Sequence, residues 1–335
     1  MTQVLLVAQD DGACGQYRMM LPAAALFSED VTWQFLDDRV MTGAVEADVI
    51  VWQRPQHRLA YEAIVKLIDK GFHVMIELDD LYDKLPETHE KFELLSPARN
   101  PTNNWGWTRK AVEAAGKLIC STPAIAEAYP EARATVVPNY IPEWNLKAQR
   151  TLQRLSVPRV GWTGNPLHHP NDIEQVGSSV SQLGFARKLA LVAFGARYTL
   201  SCFNAPGEFW GPVPFDMYMD QVRNFDIGLA PLADSPFHRA KSWNKALEYA
   251  SLGVPYIASP SPEYLRLDFE NQRIARSEQE WLEHLNELCS MSFQQLDEIG
   301  AALRAEVKAK RLTVQDRCGE FLVAWQSAVP SPAPL

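Results

Sequence analysis

The sequence predicts an α/β protein made of two doubly wound, Rossmann-like domains that face each other across a cleft, with a helical C-terminal tail. Three observations carry this expectation. Short apolar runs alternate with amphipathic helical patterns; the alternation starts afresh after residue 158; and Pro138-Asn-Tyr-Ile-Pro142, with the polar stretch behind it, separates the two series. At 335 residues the chain is long for one domain and comfortable for two.

In the first series the apolar runs fall at residues 4–8, 31–36, 49–53, 73–78, 118–121 and 134–137, with helical patterns at 59–70 and 107–115. Strands joined through helices make a mostly parallel sheet covered on both faces. Gly71 stands where a helix C-terminus needs a residue of left-handed conformation. The second series has strands at 159–163, 189–194, 226–231 and 254–258, with helices at 172–183 and 242–252. The last third is helical, at 278–289, 293–310 and 313–327. The expected domains are therefore 1–140 and 158–310, with a linker at 141–157. A helix at 311–328 is expected to pack back on the N-terminal domain, and the Pro- and Ser-rich tail 329–335 to be disordered.

Composition narrows the function classes. Apolar residues at 47% and charged residues at 22% give an ordinary globular balance. A net charge of −9 argues against a broad nucleic-acid surface, which needs clustered Lys and Arg, and favours a small or neutral partner. Cys14, Cys120, Cys202, Cys289 and Cys318 are scattered without paired metal spacing and read as reduced thiols of a cytoplasmic protein. The N-terminal apolar run has no basic region before it and reads as a first strand rather than a signal peptide. No apolar run approaches the roughly 20 residues of a membrane span.

In open α/β sheets ligands bind beyond the carboxyl ends of the strands. Lys241-Ser-Trp-Asn-Lys-Ala-Leu-Glu248 follows such an end. At about 100° per residue, Lys241, Lys245 and Glu248 share one helix face, and Trp243, Ala246, Leu247 and Ala250 the other. A solvated charged face is the plain reading. Against it, two lysines stand where the helix dipole is already positive, an arrangement that suits a docked anion. Ser242 adds a hydroxyl, Arg239 lies in the loop before, and Glu248 is placed to accept from a pair of ribose hydroxyls. Phosphate at the helix start and ribose along it describe a nucleoside diphosphate.

Asp226-Ile-Gly-Leu-Ala-Pro231 and the run from Lys241 to Ser259 resemble the donor-site segment of GT-B glycosyltransferases, in particular glycosyltransferase family 4. Val74-Met-Ile-Glu-Leu-Asp-Asp-Leu81, Val136-Val-Pro-Asn139 and Arg159-Val-Gly-Trp-Thr-Gly164 resemble further strands of that family. The resemblance implies a GT-B enzyme that transfers a sugar from a nucleoside-diphosphate sugar, by default a UDP-sugar, to an acceptor hydroxyl. It implies retention of configuration and no metal. Glu248 would hold the ribose and Lys245 the diphosphate, with Gly164, Asn165, Arg239, Lys241 and Ser242 beside them. Two departures stand out. The acidic residue many members carry eight positions before the ribose Glu is Ala240 here, and the basic pair expected after Gly164 is replaced by Asn165, His168 and His169. Lys241 and Lys245 are then expected to carry most of the diphosphate charge.

On the facing domain, Asp10-Asp-Gly-Ala-Cys-Gly15 lacks the spacing of the dinucleotide fingerprint. Gly12 and Gly15 permit close backbone approach to a donor, or merely a tight turn, and Arg18 is expected to reach the phosphates. Asp11, Asp79 and Asp80 sit at strand ends and are the candidate catalytic carboxylates, as general base or as groups that position the sugar. Helix capping is the plain reading for Asp10 or Asp11. Asp79-Asp80 has the wrong spacing for a metal pair, and adjacent histidines rarely share an ion, so no metal is expected. The acceptor is a small molecule, a glycan or modified DNA: residues 9–22 and 239–247 resemble glycosyltransferase-like proteins of bacteriophages, which suggests DNA modification in a host cytoplasm. A GT-B shell without turnover is the rival from another class.

Overall fold

The computed structural model describes residues 2–328; the tail expected to be disordered lies outside the described residues. The N-terminal domain carries β1 (Val4–Ala8), β2 (Val31–Phe35), β3 (Val49–Gln53), β4 (His73–Leu78), β5 (Lys117–Cys120) and β6 (Arg133–Val136) in one parallel sheet, ordered β2-β1-β3-β4-β5-β6. The C-terminal domain carries β7 (Arg159–Gly164), β8 (Ala190–Gly195), β9 (Gly207–Trp210), β10 (Ile227–Ala230), β11 (Tyr256–Ala258) and β12 (Arg273–Ile274), ordered β12-β11-β10-β7-β8-β9 and again parallel. Every residue of β1 and β3 is buried, as continuous apolar strands require when helices cover both faces. In each sheet the order reverses beside the first strand, β1 or β7, and the open crevice beyond those strand ends is where the two domains meet.

The expected helix at 172–183 is two pieces. A 3-10 turn spans Ile173–Val176 and a helix Ser179–Phe185, because Gly177 between them takes φ +57° and a Cβ there would strike the Glu278 side chain. β9 and β12 were not expected. The first is a mostly exposed edge strand and the second has two residues, so neither shows an apolar run.

Helices Glu278–Ser290 and Phe293–Ala309 follow, the second opened by a reciprocal Ser292–Gln295 capping box. Val314–Gln326 then crosses to the N-terminal domain and lies along helix Leu21–Leu26. Its entry is fixed by a short parallel bridge in which Val314 donates to the Ile141 carbonyl at 2.8 Å. One apolar cluster runs from Val4, Met19 and Tyr140 through Tyr249 and Leu303 to Trp325, so the two domains share a core beneath the cleft.

Candidate active site in the interdomain cleft

The helix that carries the lysine–glutamate pattern spans Asn244–Leu252. It therefore begins at Asn244, and Lys241 and Ser242 belong to the turn before it. Its apolar face seals against the sheet: Ala246, Leu247 and Ala250 are fully buried. The other face forms a wall of a cavity of about 220 Å³, with Ser242, Lys245, Glu248 and Tyr264 on one side and Cys14 and Tyr17 on the other. A wider cavity of about 760 Å³, within the size range of small-molecule sites, holds Asp11, Gly12, Arg54, Gly164 and Asn165. Ala13, Cys14, Asp80, His169 and Lys241 line both, so the two make one cleft.

Glu248 is buried, and both its oxygens are taken. Oε1 accepts from Tyr17 Oη at 2.7 Å, across the domain boundary, and Oε2 from Tyr218 Oη at 3.2 Å. Burial pushes its carboxyl up to about 7 against the pull of those two hydroxyls and Lys245. Lys245 Nζ is buried with no hydrogen-bond partner among the described residues and lies 4.7 Å from the centre of the Trp162 ring. Burial brings its ammonium down to about 8, with Asp172 and Glu248 pulling the other way. A buried, unpartnered ammonium beside an open cavity is what an arriving anion would satisfy.

Lys241 departs from expectation. Its ammonium is already neutralised by Asp80 of the facing domain at 2.9 Å and stacks 4.3 Å over the Phe237 ring. Among the described residues the free cation on this face is Lys245 alone. Asp79 Oδ1 lies 3.8 Å from Arg54 Nε and has no hydrogen-bond partner among the described residues. Burial would raise its carboxyl, but Arg54, the Cys14 thiol, Arg18 and Lys241 hold it below the ordinary value. Burial raises Asp80, against the opposing charge of Lys241 and with that of Asp79.

Arg54, which the sequence does not single out, organises this side. It sits just past β3 with φ +47°, a conformation unfavourable for a side chain by about 1–2 kcal/mol, and bonds to Asp10 and the Tyr82 hydroxyl. Asp10 also accepts from the Gly12 amide at 3.0 Å, so the first loop is a turn locked by its own aspartate, and Gly12 has that amide engaged. Gly15 is structural: a Cβ there would lie 1.8 Å from the Asp10 carbonyl oxygen.

Two expected phosphate ligands are elsewhere. Arg18 is fully buried beneath the cleft, held by Glu77 at 2.5 Å, the Val137 carbonyl at 2.6 Å and Asn139 at 2.9 Å. The π-helical turn Gln16–Met20 rotates it inward and turns Tyr17 to Glu248 instead. Arg239 is exposed, paired with Asp234 at 2.5 Å, and lines a separate cavity with Ser259 and Arg276. Asn165 lies at the rim and donates to Glu90 at 2.9 Å. Tyr17, Tyr218, Arg54 and Asp172 escape sequence reasoning. Tyr17 and Glu248 are 231 residues apart, and no local pattern announces such a pair.

Among the described residues no group of three His, Cys, Asp or Glu is placed to hold a metal ion, and no helix is long and apolar enough to cross a membrane. No protein-family model matches the chain, and no protein of described function matches it in sequence. Solved structures do. Anabaena HepE in complex with UDP and glucose superposes with a TM-score of 0.66 at 14% identity, over 98% of this chain and 100% of that one. The trehalose-6-phosphate synthase OtsA gives 0.64 at 10% identity, over 98% and 100%. A trehalose-6-phosphate synthase studied for glycosyl transfer with retention gives 0.65 at 12% identity, over 99% and 100%. These likenesses span the whole chain, and what they establish is its fold: the two facing Rossmann-like domains of the GT-B glycosyltransferases.

Proposed function

We propose that the protein is a glycosyltransferase that moves a sugar from a nucleoside-diphosphate sugar, a UDP-sugar in the first instance, to an acceptor hydroxyl. The observation that carries the proposal is the pairing of a buried Lys245 ammonium, without a hydrogen-bond partner among the described residues, with a buried Glu248 one helical turn away, inside a cleft between two Rossmann-like domains. Lys245 would meet the diphosphate and Glu248 the ribose, with Ser242 and Gly164 beside them. The fold neighbours solved with UDP, UDP-glucose and glucose support the choice of donor.

We read transfer as retaining and independent of metal. A general base works best with a pKa near the working pH. Asp79 is held too acidic for that by Arg54, and Asp80 is engaged with Lys241. The leaving diphosphate is then the group that takes the acceptor proton, while Asp79, Asp80 and Asp11 position sugar and acceptor. Closure of the cleft excludes water and aligns the hydroxyl. The wide cavity balances Asp10, Asp11 and Asp80 against Arg54, Lys91 and Lys241, so it offers no surplus of positive charge to a DNA acceptor. One observation favours a shell without turnover: both oxygens of Glu248 are occupied by tyrosines.

Calorimetry with UDP tests the site. Lys245→Ala and Glu248→Ala should each weaken binding by about 10- to 100-fold, the loss of a charge-assisted hydrogen bond worth about 1.5–3 kcal/mol. Unchanged binding in both variants contradicts the assignment. Release of free sugar or product from a UDP-sugar excludes the inactive shell. The anomeric configuration of the product by NMR, with and without chelator, decides retention and metal independence.

A further inference from the structure

His169 faces the cleft from the loop after β7 and lines both cavities, with Nδ1 turned toward Asp172. Its Nδ1 is buried 3.2 Å from Asp172 Oδ2, while the side chain as a whole keeps 24% of its surface exposed. Asp172 is fully buried and fixed from other directions. It accepts from the Ala233 amide at 2.7 Å and stands 3.3 Å from His238 Nε2, and His238 Nδ1 is tied to Ser235 Oγ at 2.7 Å. Neither Asp172 Oδ2 nor His169 Nδ1 has a hydrogen-bond partner among the described residues, so the two stand at ion-pair distance, and a protonated ring would satisfy both. The His169 ring also packs edge-on to Trp162, at 6.4 Å between centres, and that same indole carries the Lys245 ammonium. His169 and Lys245 thus both contact one aromatic plate, and His169 lines both cavities while Lys245 lines the smaller.

We propose that His169 takes up a proton when a nucleoside diphosphate enters the cleft, and that the resulting imidazolium shares the diphosphate with Lys245 while Asp172 positions the ring. The inference rests on the nucleotide-sugar reading above. The proton comes from solvent and is bound at Nε2; no covalent bond to the ligand forms or breaks. In the empty cleft, burial and then Lys245, Lys241, His168 and His238 hold His169 well below its ordinary value, so the ring is neutral near pH 7. The charged groups that face it are Lys245 and Glu248 from helix Asn244–Leu252, Lys241 from the turn before, His238 from helix Pro236–Arg239, Asp80 from the opposite domain, and His168 and Asp172 on its own loop. Asp80 is already paired with Lys241, and Glu248 is held by two tyrosines. A diphosphate adds uncompensated negative charge at this point and favours the charged ring. The loop thus supplies a cation where none is visible at neutral pH in the sequence.

The test is calorimetry of UDP binding to the full chain at pH 6.5 in buffers of different ionisation enthalpy, which counts protons taken up. The native protein should take up more than His169→Gln, by about half to one proton, and its Kd should tighten toward low pH by up to about tenfold per pH unit while that of His169→Gln changes less. Contributions from Glu248 and Lys245 are common to both proteins and cancel in the difference. Should His169→Gln not fold, the His169 imidazole resonance in the native protein, assigned through its backbone, should titrate about one pH unit or more higher with UDP than without. Equal proton uptake in the two proteins, or an imidazole titration unmoved by UDP, overturns the role of His169 and leaves the nucleotide reading standing. Failure of UDP, GDP and ADP alike to bind the native protein overturns the nucleotide reading, and this inference with it.

Discussion

Glu248 is the residue on which the site turns, and its surroundings make two demands. As a carboxylate it can accept from ribose hydroxyls, yet Tyr17 and Tyr218 already donate to it. A nucleotide that takes Glu248 competes with the Tyr17 hydroxyl for Oε1. Tyr17→Phe should therefore tighten UDP binding by roughly tenfold or more, the worth of one hydrogen bond to a carboxylate of about 1.5–3 kcal/mol, read by calorimetry. Weaker binding would mean that Tyr17 serves the ligand rather than competing with it. The second demand is electrostatic. Because burial lifts the folded-state pKa of Glu248 to about 7, its protonated form favours folding below the ordinary carboxyl value of 4.5, and that contribution is lost as pH rises toward and through 7. Glu248→Gln should melt higher than the native protein at pH 8, and the gap should close toward pH 4.5. A gap independent of pH would show that Glu248 is not a buried titrating acid. Lys245 and Lys241 separate at this scale as well: one is free for an anion, the other is already half of a bridge.

Among the elements, long buried strands were the most readable part of the sequence. β1 is a continuous apolar run, and β3 and β4 are apolar apart from Gln53, His73 and Glu77, because both faces are covered, and their limits follow the runs. The helix at Asn244–Leu252 was readable for a different reason: its polar and apolar faces separate cleanly on a wheel, so the side turned to the cleft follows from the sequence. The edge strands of the second sheet were not readable, since β9 exposes most of its residues and β12 has only two. Nor was the π-helical turn at Gln16–Met20, which turns Arg18 into the core and Tyr17 into the cleft; both side chains lie on one helical run, and a single extra residue in the turn exchanges their fates. The C-terminal helix Val314–Gln326 locks this arrangement from outside. Phe321 is fully buried, meets the Tyr140 ring at 6.3 Å and lies 5.1 Å from the Arg18 guanidinium. Phe321→Ala should lower stability by about 3–5 kcal/mol in chemical denaturation. A loss under 1 kcal/mol would show that the helix is dispensable to the N-terminal domain.

At the level of the whole molecule, the two domains are stitched together around the cleft. Lys241 pairs with Asp80, Tyr17 with Glu248, Asn139 donates to Ser242 at 3.0 Å, Trp243 donates to the Asn139 carbonyl at 2.6 Å, and Thr122 to the Ala240 carbonyl at 3.0 Å. These bonds bridge the two domains, and three of them, Lys241–Asp80, Tyr17–Glu248 and Asn139–Ser242, join residues that line the cleft. Asp80→Asn, which keeps the shape and removes the charge, should lower kcat by roughly tenfold or more through misplaced groups, with a smaller effect on donor affinity. An unchanged kcat would remove Asp80 from the machinery of closure. The acceptor was not readable at this scale, because the wide cavity is walled by loops from both domains whose approach no single stretch of sequence encodes.

The central claim is that this cleft binds a nucleoside-diphosphate sugar through Glu248 and Lys245, and thermal shift with a panel of UDP-, GDP-, ADP-, CDP- and dTDP-sugars tests it most directly. Ligand at about 100 times its Kd stabilises the folded state by about 2.7 kcal/mol. The account predicts that at least one donor raises the melting temperature of the native protein and that Glu248→Ala and Lys245→Ala lose most of that rise. A native protein that none of the panel stabilises, or variants stabilised as much as the native protein, would contradict it.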